Sequence, residues 1–229
     1  MINKKMLELG NQPSVIREIF EYSLRRKAEI GPENVFDFSL GNPSIPAPKL
    51  VDDTIKELAE SGDSVALHGY TSAVGDNATR TAIADNLNER FGTNFTMNNL
   101  YMTCGAAASL TITLNAIVED GDEVIALAPF FPEYRVFTEQ AGAKLVTVSC
   151  KKEDLQIDFD ALEKAITPNT KAIIVNSPNN PSGVIIPESD IIKLTDLLKV
   201  KQNEYGKEIF IISDEPYREL VFTGDKVPY

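Results

Sequence analysis

Two polar segments, residues 176–183 and 214–217, each follow a short apolar run that is typical of a buried β-strand. The first reads Asn-Ser-Pro-Asn-Asn-Pro-Ser-Gly and the second reads Asp-Glu-Pro-Tyr. Amide side chains both donate and accept hydrogen bonds, a carboxylate accepts them, and a phenol can do either. Because open α/β sheets bind ligands at the carboxyl ends of their strands, the two segments indicate a ligand site there.

Asp214 is an acidic residue that directly follows the apolar run at 209–213. A carboxylate at such a position would hold a protonated heterocycle in its charged form, and each pKa unit of that pairing corresponds to about 1.36 kcal/mol. A helix N-cap is the alternative interpretation of Asp214. For residues 176–183 the alternative is ordinary turn chemistry, and the cis or trans state of the two X-Pro bonds stays open.

A turn of small residues and an aromatic segment lie earlier in the chain. Residues 103–109 read Thr-Cys-Gly-Ala-Ala-Ala-Ser and are expected to enter a helix, whose free N–H groups would favour a phosphate. Close packing of a helix against a strand is the alternative explanation of these small residues. Phe131 follows another apolar run and could stack on a flat ligand or belong to the core. The pattern G-x-G-x-x-G is absent, which does not favour NAD.

Apolar runs alternate with amphipathic stretches between residues 99 and 213, and this alternation predicts an α/β fold with a mostly parallel sheet flanked by helices. The first hundred residues favour an N-terminal arm and an accessory layer, with a proline-rich loop at 41–48. The strands are expected at 100–103, 123–128, 144–149, 172–176 and 209–213. The helices are expected at 14–27, 49–60, 75–91, 106–118, 132–141, 158–166 and 188–204.

Composition excludes several classes of function. The 229 residues carry a formal charge of −12, so nucleic acid and anionic membrane are not expected as partners. Neither a secretory signal nor a membrane span is expected, which favours a cytoplasmic protein. Cys104 and Cys150 are far apart and His68 is the only histidine, so neither a disulfide framework nor a metal site is expected.

The combination Asn-x-Pro-x-Asn-Pro-Ser-Gly followed by Asp-x-x-Tyr resembles the class I and II aminotransferases, which are fold-type I pyridoxal 5′-phosphate enzymes related to aspartate aminotransferase. The resemblance covers nearly the whole chain. It implies an arm and small-domain segment at 1–48 and an incomplete cofactor-binding large domain at 49–229. It also implies pyridoxal 5′-phosphate as the cofactor.

The resemblance assigns the cofactor's phosphate and ring face to residues quoted above. Gly105, Ala106 and Ala107 match the family's phosphate cradle. Phe131 falls where an aromatic ring stacks on the pyridine.

The resemblance also assigns groups around the edge of the ring and in the first hundred residues. Asn180 and Tyr217 match groups that hydrogen-bond the cofactor's phenolic oxygen, and Asp214 matches the partner of the pyridine nitrogen. Asn180 and Gly41 are implied substrate-binding residues. Tyr70 resembles the tyrosine that reaches the phosphate of the neighbouring subunit, which implies a homodimer.

The chain departs from the family at three points. Thr79-Arg80 stands where Leu-Arg is usual, and Ser44-Ile45 replaces an acidic and aromatic pair. The family's Schiff-base lysine lies well beyond the Asp-x-x-Tyr segment, in a Ser-x-x-Lys context. Lys226 is the only lysine after Asp214, and its surroundings favour a surface turn. We therefore expect no catalytic residue in this chain, a Schiff-base lysine downstream of Tyr229, and an N-terminal portion that is inactive alone.

The function that the resemblance implies is transfer of an amino group between an amino acid and a 2-oxo acid. A lyase or decarboxylase that uses the same cofactor is an alternative, because cofactor-binding residues do not specify which bond breaks. A non-catalytic ligand-binding or regulatory module is a second alternative, and a nucleotide-binding α/β protein is a third. The sequence identifies neither the donor nor the acceptor.

Overall fold

The computed structural model describes residues 4–11, 15–41 and 45–229, and the structural statements below concern these residues. The first three residues of the expected non-secretory start, the first residue of the 14–27 helix, and residues 42–44 of the proline-rich loop lie outside them. The chain divides into two compact units, Met1–Tyr70 and Thr71–Tyr229. This division falls later than the expected functional boundary between residues 48 and 49, which stays a prediction.

The first unit is helical in its described residues. Large apolar side chains are exposed on it, including Leu50 at 74% and Phe38 at 93%. A surface with this many exposed apolar groups is typical of a protein that packs against a partner. Its helices are α1 (Lys4–Asn11), α2 (Val15–Ile30), α3 (Lys49–Glu60) and α4 (Ser64–His68), with a 3₁₀ turn at Pro32–Asn34.

The second unit is a four-stranded sheet flanked by helices. All strand pairs are parallel and the spatial order is β2-β1-β3-β4, which confirms the expected fold class. Its elements are α5 (Asn77–Phe91), a 3₁₀ turn (Met97–Asn99), α6 (Ala106–Ile117), β1 (Glu123–Ala128), α7 (Glu133–Gln140), β2 (Lys144–Ser149), α8 (Phe159–Ala165), β3 (Thr170–Asn176), α9 (Glu188–Tyr205) and β4 (Phe210–Asp214).

The central strands β1 and β3 are buried on both faces. Val124 and Ala126 of β1 belong to one apolar cluster, together with residues of α6 and α7. Ile125 and Leu127 point the other way and belong to a second cluster, together with residues of α8 and α9. Alternate residues of a strand face opposite sides of a sheet, so these clusters define a helix–sheet–helix sandwich.

The strand order fixes the position of the ligand crevice. From β1 the chain passes outward to β2, then returns to the other side of β1 and continues through β3 to β4. The direction of winding therefore reverses between β1 and β3. Open α/β sheets bind ligands at the carboxyl ends of the strands beside such a reversal.

The bounds expected for β1 and β2 are confirmed residue for residue, whereas the strand expected at 100–103 is wrong. Leu100 has extended backbone, but its carbonyl oxygen accepts from the guanidinium of Arg80 at 3.1 Å. Met102 N–H donates to the Val74 carbonyl at 3.0 Å, and this bond is not continued into a ladder. The segment is therefore extended, but it pairs with an arginine and a loop rather than with a strand.

Helix α5 begins two residues later than expected. Gly75 has a φ of 101°, a left-handed conformation that cannot belong to a right-handed helix. Asp76 then acts as the N-cap, because its side chain accepts from the Thr79 N–H at 2.7 Å. The Asp-x-x-Thr spacing therefore sets the start of the helix.

We expect Ile173→Ala to lower the free energy of unfolding by about 2–5 kcal/mol, because it leaves a cavity in the most enclosed strand of the sheet. Ile173 is fully buried in β3. Ile192→Ala on α9, where the side chain is 54% exposed, is the matched control and should change stability by less than about 0.5 kcal/mol. Urea unfolding of both variants measures the difference, and equal losses would contradict the assigned core.

Candidate functional site

Asn176, the last residue of β3, ties the ends of two strands together. Its side-chain amide nitrogen donates to the backbone carbonyl of Asp214 at 2.8 Å, at the end of β4. Its side-chain oxygen accepts from the Asn180 N–H at 2.7 Å. The residue is buried, so both polar atoms of its side chain need these partners.

The loop that follows Asn176 is held by its own polar side chains. The Asn179 side-chain oxygen accepts from both the N–H and the hydroxyl of Ser182, at 3.0 and 2.7 Å. Ser177 accepts from the Ile186 N–H at 2.9 Å, which closes the loop. The peptide bonds before Pro178 and Pro181 are both cis. The hydrogen bonds of Ser177, Asn179 and Ser182 hold the loop that carries the side chain of Asn180.

Asp214 ends β4 beside a buried tyrosine. The Tyr134 hydroxyl, from the first turn of α7, donates to Asp214 Oδ2 at 2.6 Å. Burial, with the neighbouring Asp214 carboxylate, raises the pKa of Tyr134 well above its ordinary value of 10.0. No helix begins after Asp214 in the described residues, and its carboxylate accepts from this phenol rather than from a helical N–H. The arrangement does not support the N-cap interpretation.

Asn180 and Tyr217 meet across the same space. The side-chain nitrogen of Asn180 donates to the Tyr217 hydroxyl oxygen at 3.2 Å. Both residues line a cavity of about 230 Å³ that Asp214 also lines. Its lining comprises Ala106, Ala107, Leu110, Phe131, Tyr134, Phe137, Asn176, Asn180, Asp214, Pro216 and Tyr217.

The start of α6 forms one wall of this cavity. Gly105 is the N-cap with a φ of 90°, a conformation that favours glycine, and it offers no capping side chain. In contrast, the side chain of Asp158 accepts from the N–H of Ala161 at the start of α8. The first N–H groups of α6, including those of Ala106 and Ala107, thus lack a side-chain acceptor and suit an anion.

Phe131 packs against the core and also lines the cavity, so its stacking on a flat ligand stays a prediction. Its ring packs against the cluster on the α6 and α7 face of the sheet. It meets the Tyr134 ring edge-on, with centroids 5.7 Å apart and planes at 83°. Aromatic pairs of this geometry stabilise each other, so the orientation of Phe131 is supported from behind.

Most of the residues singled out from the sequence therefore share one location. Gly105 caps the helix that forms one wall, and six others line the cavity itself. Gly41 and Tyr70 belong to the first unit, where Tyr70 is fully exposed, and their roles stay predictions. The six lining residues are Ala106, Ala107, Phe131, Asn180, Asp214 and Tyr217.

Two residues of the site were not identified from the sequence. Tyr134 lies in the first helical turn after β1, and a hydroxyl-bearing ring at that position faces the carboxyl end of the sheet. Asn176 ends a buried strand, and a buried amide requires hydrogen-bond partners. Both signals were present in the sequence.

The described part of the chain also bears on two other classes of site. No helix there is both long enough and apolar enough to cross a bilayer. No group of three or more His, Cys, Asp or Glu side chains there is arranged to hold a metal ion.

Comparison with known proteins gives a family match over most of the chain. The profile of the family described as "Aminotransferase class I and II" matches residues 33–228. An aspartate aminotransferase from Sulfolobus acidocaldarius is 28% identical over 225 residues, which cover 97% of this chain and 53% of that protein. Aromatic-amino-acid aminotransferase 2 from Thermococcus litoralis is 28% identical, covering 96% and 53%.

A solved structure gives a closer match in three dimensions. The crystal structure of an amino transferase from Eubacterium rectale superimposes with a TM-score of 0.96 and 58% sequence identity. The match covers all of this chain and 58% of that one. The chain therefore spans about half the length of the curated relatives that it matches.

We expect Asn176→Ala to lower the free energy of unfolding by about 1–3 kcal/mol, because it leaves the Asp214 carbonyl and the Asn180 N–H without their partner. Asn115→Ala is the matched control, since Asn115 is exposed on α6 and bonds only to the helix backbone. Urea unfolding compares the two variants. A loss no greater than that of the control would show that Asn176 is not the tie between the strands.

The raised pKa of Tyr134 predicts a base-sensitive contribution to stability. As the pH rises above the ordinary pKa of 10.0, Tyr134 ionises in the unfolded chain but not yet in the folded chain. This ionisation stabilises the unfolded state, so the free energy of unfolding falls. The contribution is complete below that value and is lost as the pH rises towards the folded pKa. Between about pH 8 and pH 11, the urea midpoint should fall further in the wild type than in Tyr134→Phe, and parallel declines would contradict this.

Proposed function

This chain belongs to the class I and II aminotransferase family, and from that premise we propose that it supplies the pyridoxal 5′-phosphate-binding part of a transaminase. The whole protein would transfer an amino group between an amino acid and a 2-oxo acid. The single observation that carries the proposal is the environment of Asp214. The relatives are aminotransferases, and they do not favour the lyase, decarboxylase or non-catalytic alternatives.

Asp214 presents a carboxylate to the cavity without a cationic partner. Its only side-chain hydrogen bond in the described residues is the one from the Tyr134 phenol to Oδ2, and it forms no ion pair there. A partly buried carboxylate favours a positively charged group beside it. The protonated nitrogen of a pyridine ring is such a group, and Asp214 would hold that proton in place.

The remaining donors of the cavity fit the other parts of the same cofactor. The uncapped N–H groups at Ala106 and Ala107 suit its phosphate, and Phe131 offers a face for its ring. The amide of Asn180 and the phenol of Tyr217 suit its phenolic oxygen. When bound, pyridoxal phosphate supplies an electron sink for the carbanion formed at the substrate's α-carbon.

The proposal assigns the amine of the reaction to sequence outside these 229 residues. No lysine lines the cavity in the part of the chain that the structure describes. Proton transfer at the α-carbon needs a base within hydrogen-bonding reach, and an amine serves this role in the family that the chain resembles. The chain alone would therefore hold the cofactor without turning over substrate.

We extend the proposal to a homodimer and to the substrate class. Tyr70 is fully exposed, as expected of a side chain that reaches a neighbouring subunit, and Gly41 would lie beside the substrate's carboxylate. The relatives are named for aspartate and for aromatic amino acids, so the proposal specifies the reaction and not the donor.

The free cysteines Cys104 and Cys150 agree with a cytoplasmic location.

The experiment that tests the proposal uses the whole protein, with whatever sequence adjoins this chain. An absorbance titration with pyridoxal 5′-phosphate first measures binding. Asp214→Ala should then lower kcat about 10²- to 10³-fold with the best amino donor, because a charged partner of the reacting system is lost.

Asp196→Ala on α9 is the control for the loss of an aspartate, since Asp196 is exposed and pairs with Lys199. It should leave kcat unchanged. Near-normal turnover of Asp214→Ala would remove Asp214 from its proposed role, and failure of the wild type to bind the cofactor would reject the function altogether.

A further inference from the structure

Tyr134 is buried, its ring contacts two other aromatic rings, and its hydroxyl bonds to Asp214. The residue is 1% exposed, in the first turn of α7. Phe131 meets its ring edge-on, and Phe130 lies nearly parallel to it with centroids 6.3 Å apart. Burial and these two ring contacts restrict the rotamer of Tyr134, whose hydroxyl is directed at Asp214.

Two of the three oxygen atoms of Asp214 accept hydrogen bonds in the described residues. Oδ2 accepts from the Tyr134 hydroxyl at 2.6 Å, and the backbone oxygen accepts from the amide of Asn176 at 2.8 Å. In the described residues Oδ1 accepts no hydrogen bond. A carboxylate held at one oxygen by a fixed donor loses its freedom to rotate about the bond to its Cβ.

We propose that Tyr134 is a positioning residue, whose phenol holds Oδ2 of Asp214 so that Oδ1 is presented to a protonated ring nitrogen in the cavity. The inference rests on the proposed function, because it requires that the ligand carry such a nitrogen. Tyr134 acts through Asp214 and forms no hydrogen bond of its own with the ring nitrogen.

A phenol suits this role because it donates to the carboxylate without competing for the ligand's proton. The raised pKa of Tyr134 keeps its hydroxyl protonated through the physiological range. A hydrogen bond from a neutral donor to a carboxylate is also stronger than one between two neutral groups. The phenol thus supports the direction of the carboxylate.

The test compares two ligands on the whole apoprotein: pyridoxal 5′-phosphate and its carbocyclic analogue, in which a carbon replaces the ring nitrogen. Tyr134→Phe keeps the ring and deletes the donor. It should weaken binding of pyridoxal 5′-phosphate about tenfold, the factor that corresponds to roughly 1.4 kcal/mol of a charge-assisted hydrogen bond. Binding of the analogue should stay at the wild-type level, which also shows that the cavity has folded.

Two further variants complete the experiment. Tyr205→Phe on α9 is the matched control, because its hydroxyl bonds to the Ile166 carbonyl outside the cavity, and it should change neither affinity. In an Asp214→Ala background, Tyr134→Phe should have no additional effect on the preference for the ring nitrogen, because the two residues act as one unit.

The outcomes separate this inference from the proposed function. Equal losses for both ligands in Tyr134→Phe, or an additive effect in the double variant, would overturn the positioning role and leave the cofactor site intact. A wild type that binds the two ligands equally would reject the pairing of Asp214 with a ring nitrogen and overturn the positioning role. A wild type that binds neither ligand would reject the proposed function.

Discussion

The side chain of Asn176 is the constraint on which the geometry of the site depends. Parallel strands deliver their last residues to one edge of the sheet, but the backbone ladder does not fix the loops beyond that edge. Asn176 extends the pairing of β3 and β4 by one side-chain bond to Asp214 and turns the following loop by a second bond to Asn180. The carboxylate of Asp214 and the amide of Asn180, which both line the cavity, are thus positioned from one point.

The sandwich could be predicted from the sequence because its central strands are apolar on both faces. The run Ala172-Ile-Ile-Val175 has apolar side chains on both faces of its strand, and so does the run from Val124 to Ala128. Strands of this kind require helices on both faces of the sheet, and the structure has helices on both faces. Six of the candidate cofactor residues could be predicted together because each follows an apolar run or begins the helix after one, and such positions converge at one edge of the sheet.

The remaining features could not be predicted because they depend on contacts that are distant in the sequence. Residues 100–103 have strand-like composition, but the guanidinium of Arg80 takes the carbonyl of Leu100, and no local pattern indicates that competition. The bond between Tyr134 and Asp214 joins residues 80 positions apart. An aromatic residue near a helix start is common, and only the packed sheet shows which acceptor its hydroxyl reaches.

The start of α6 has a thermodynamic consequence that goes beyond recognition. Helix ends are normally closed by the chain itself, as Asp76 and Asp158 close two others in this unit, whereas Gly105 leaves its helix open. A bound phosphate would complete that helix, and a ligand that binds only the folded chain shifts the folding equilibrium by mass action. Under the proposed function, a phosphate group bound at this helix end would therefore raise the free energy of unfolding as well as complete the site.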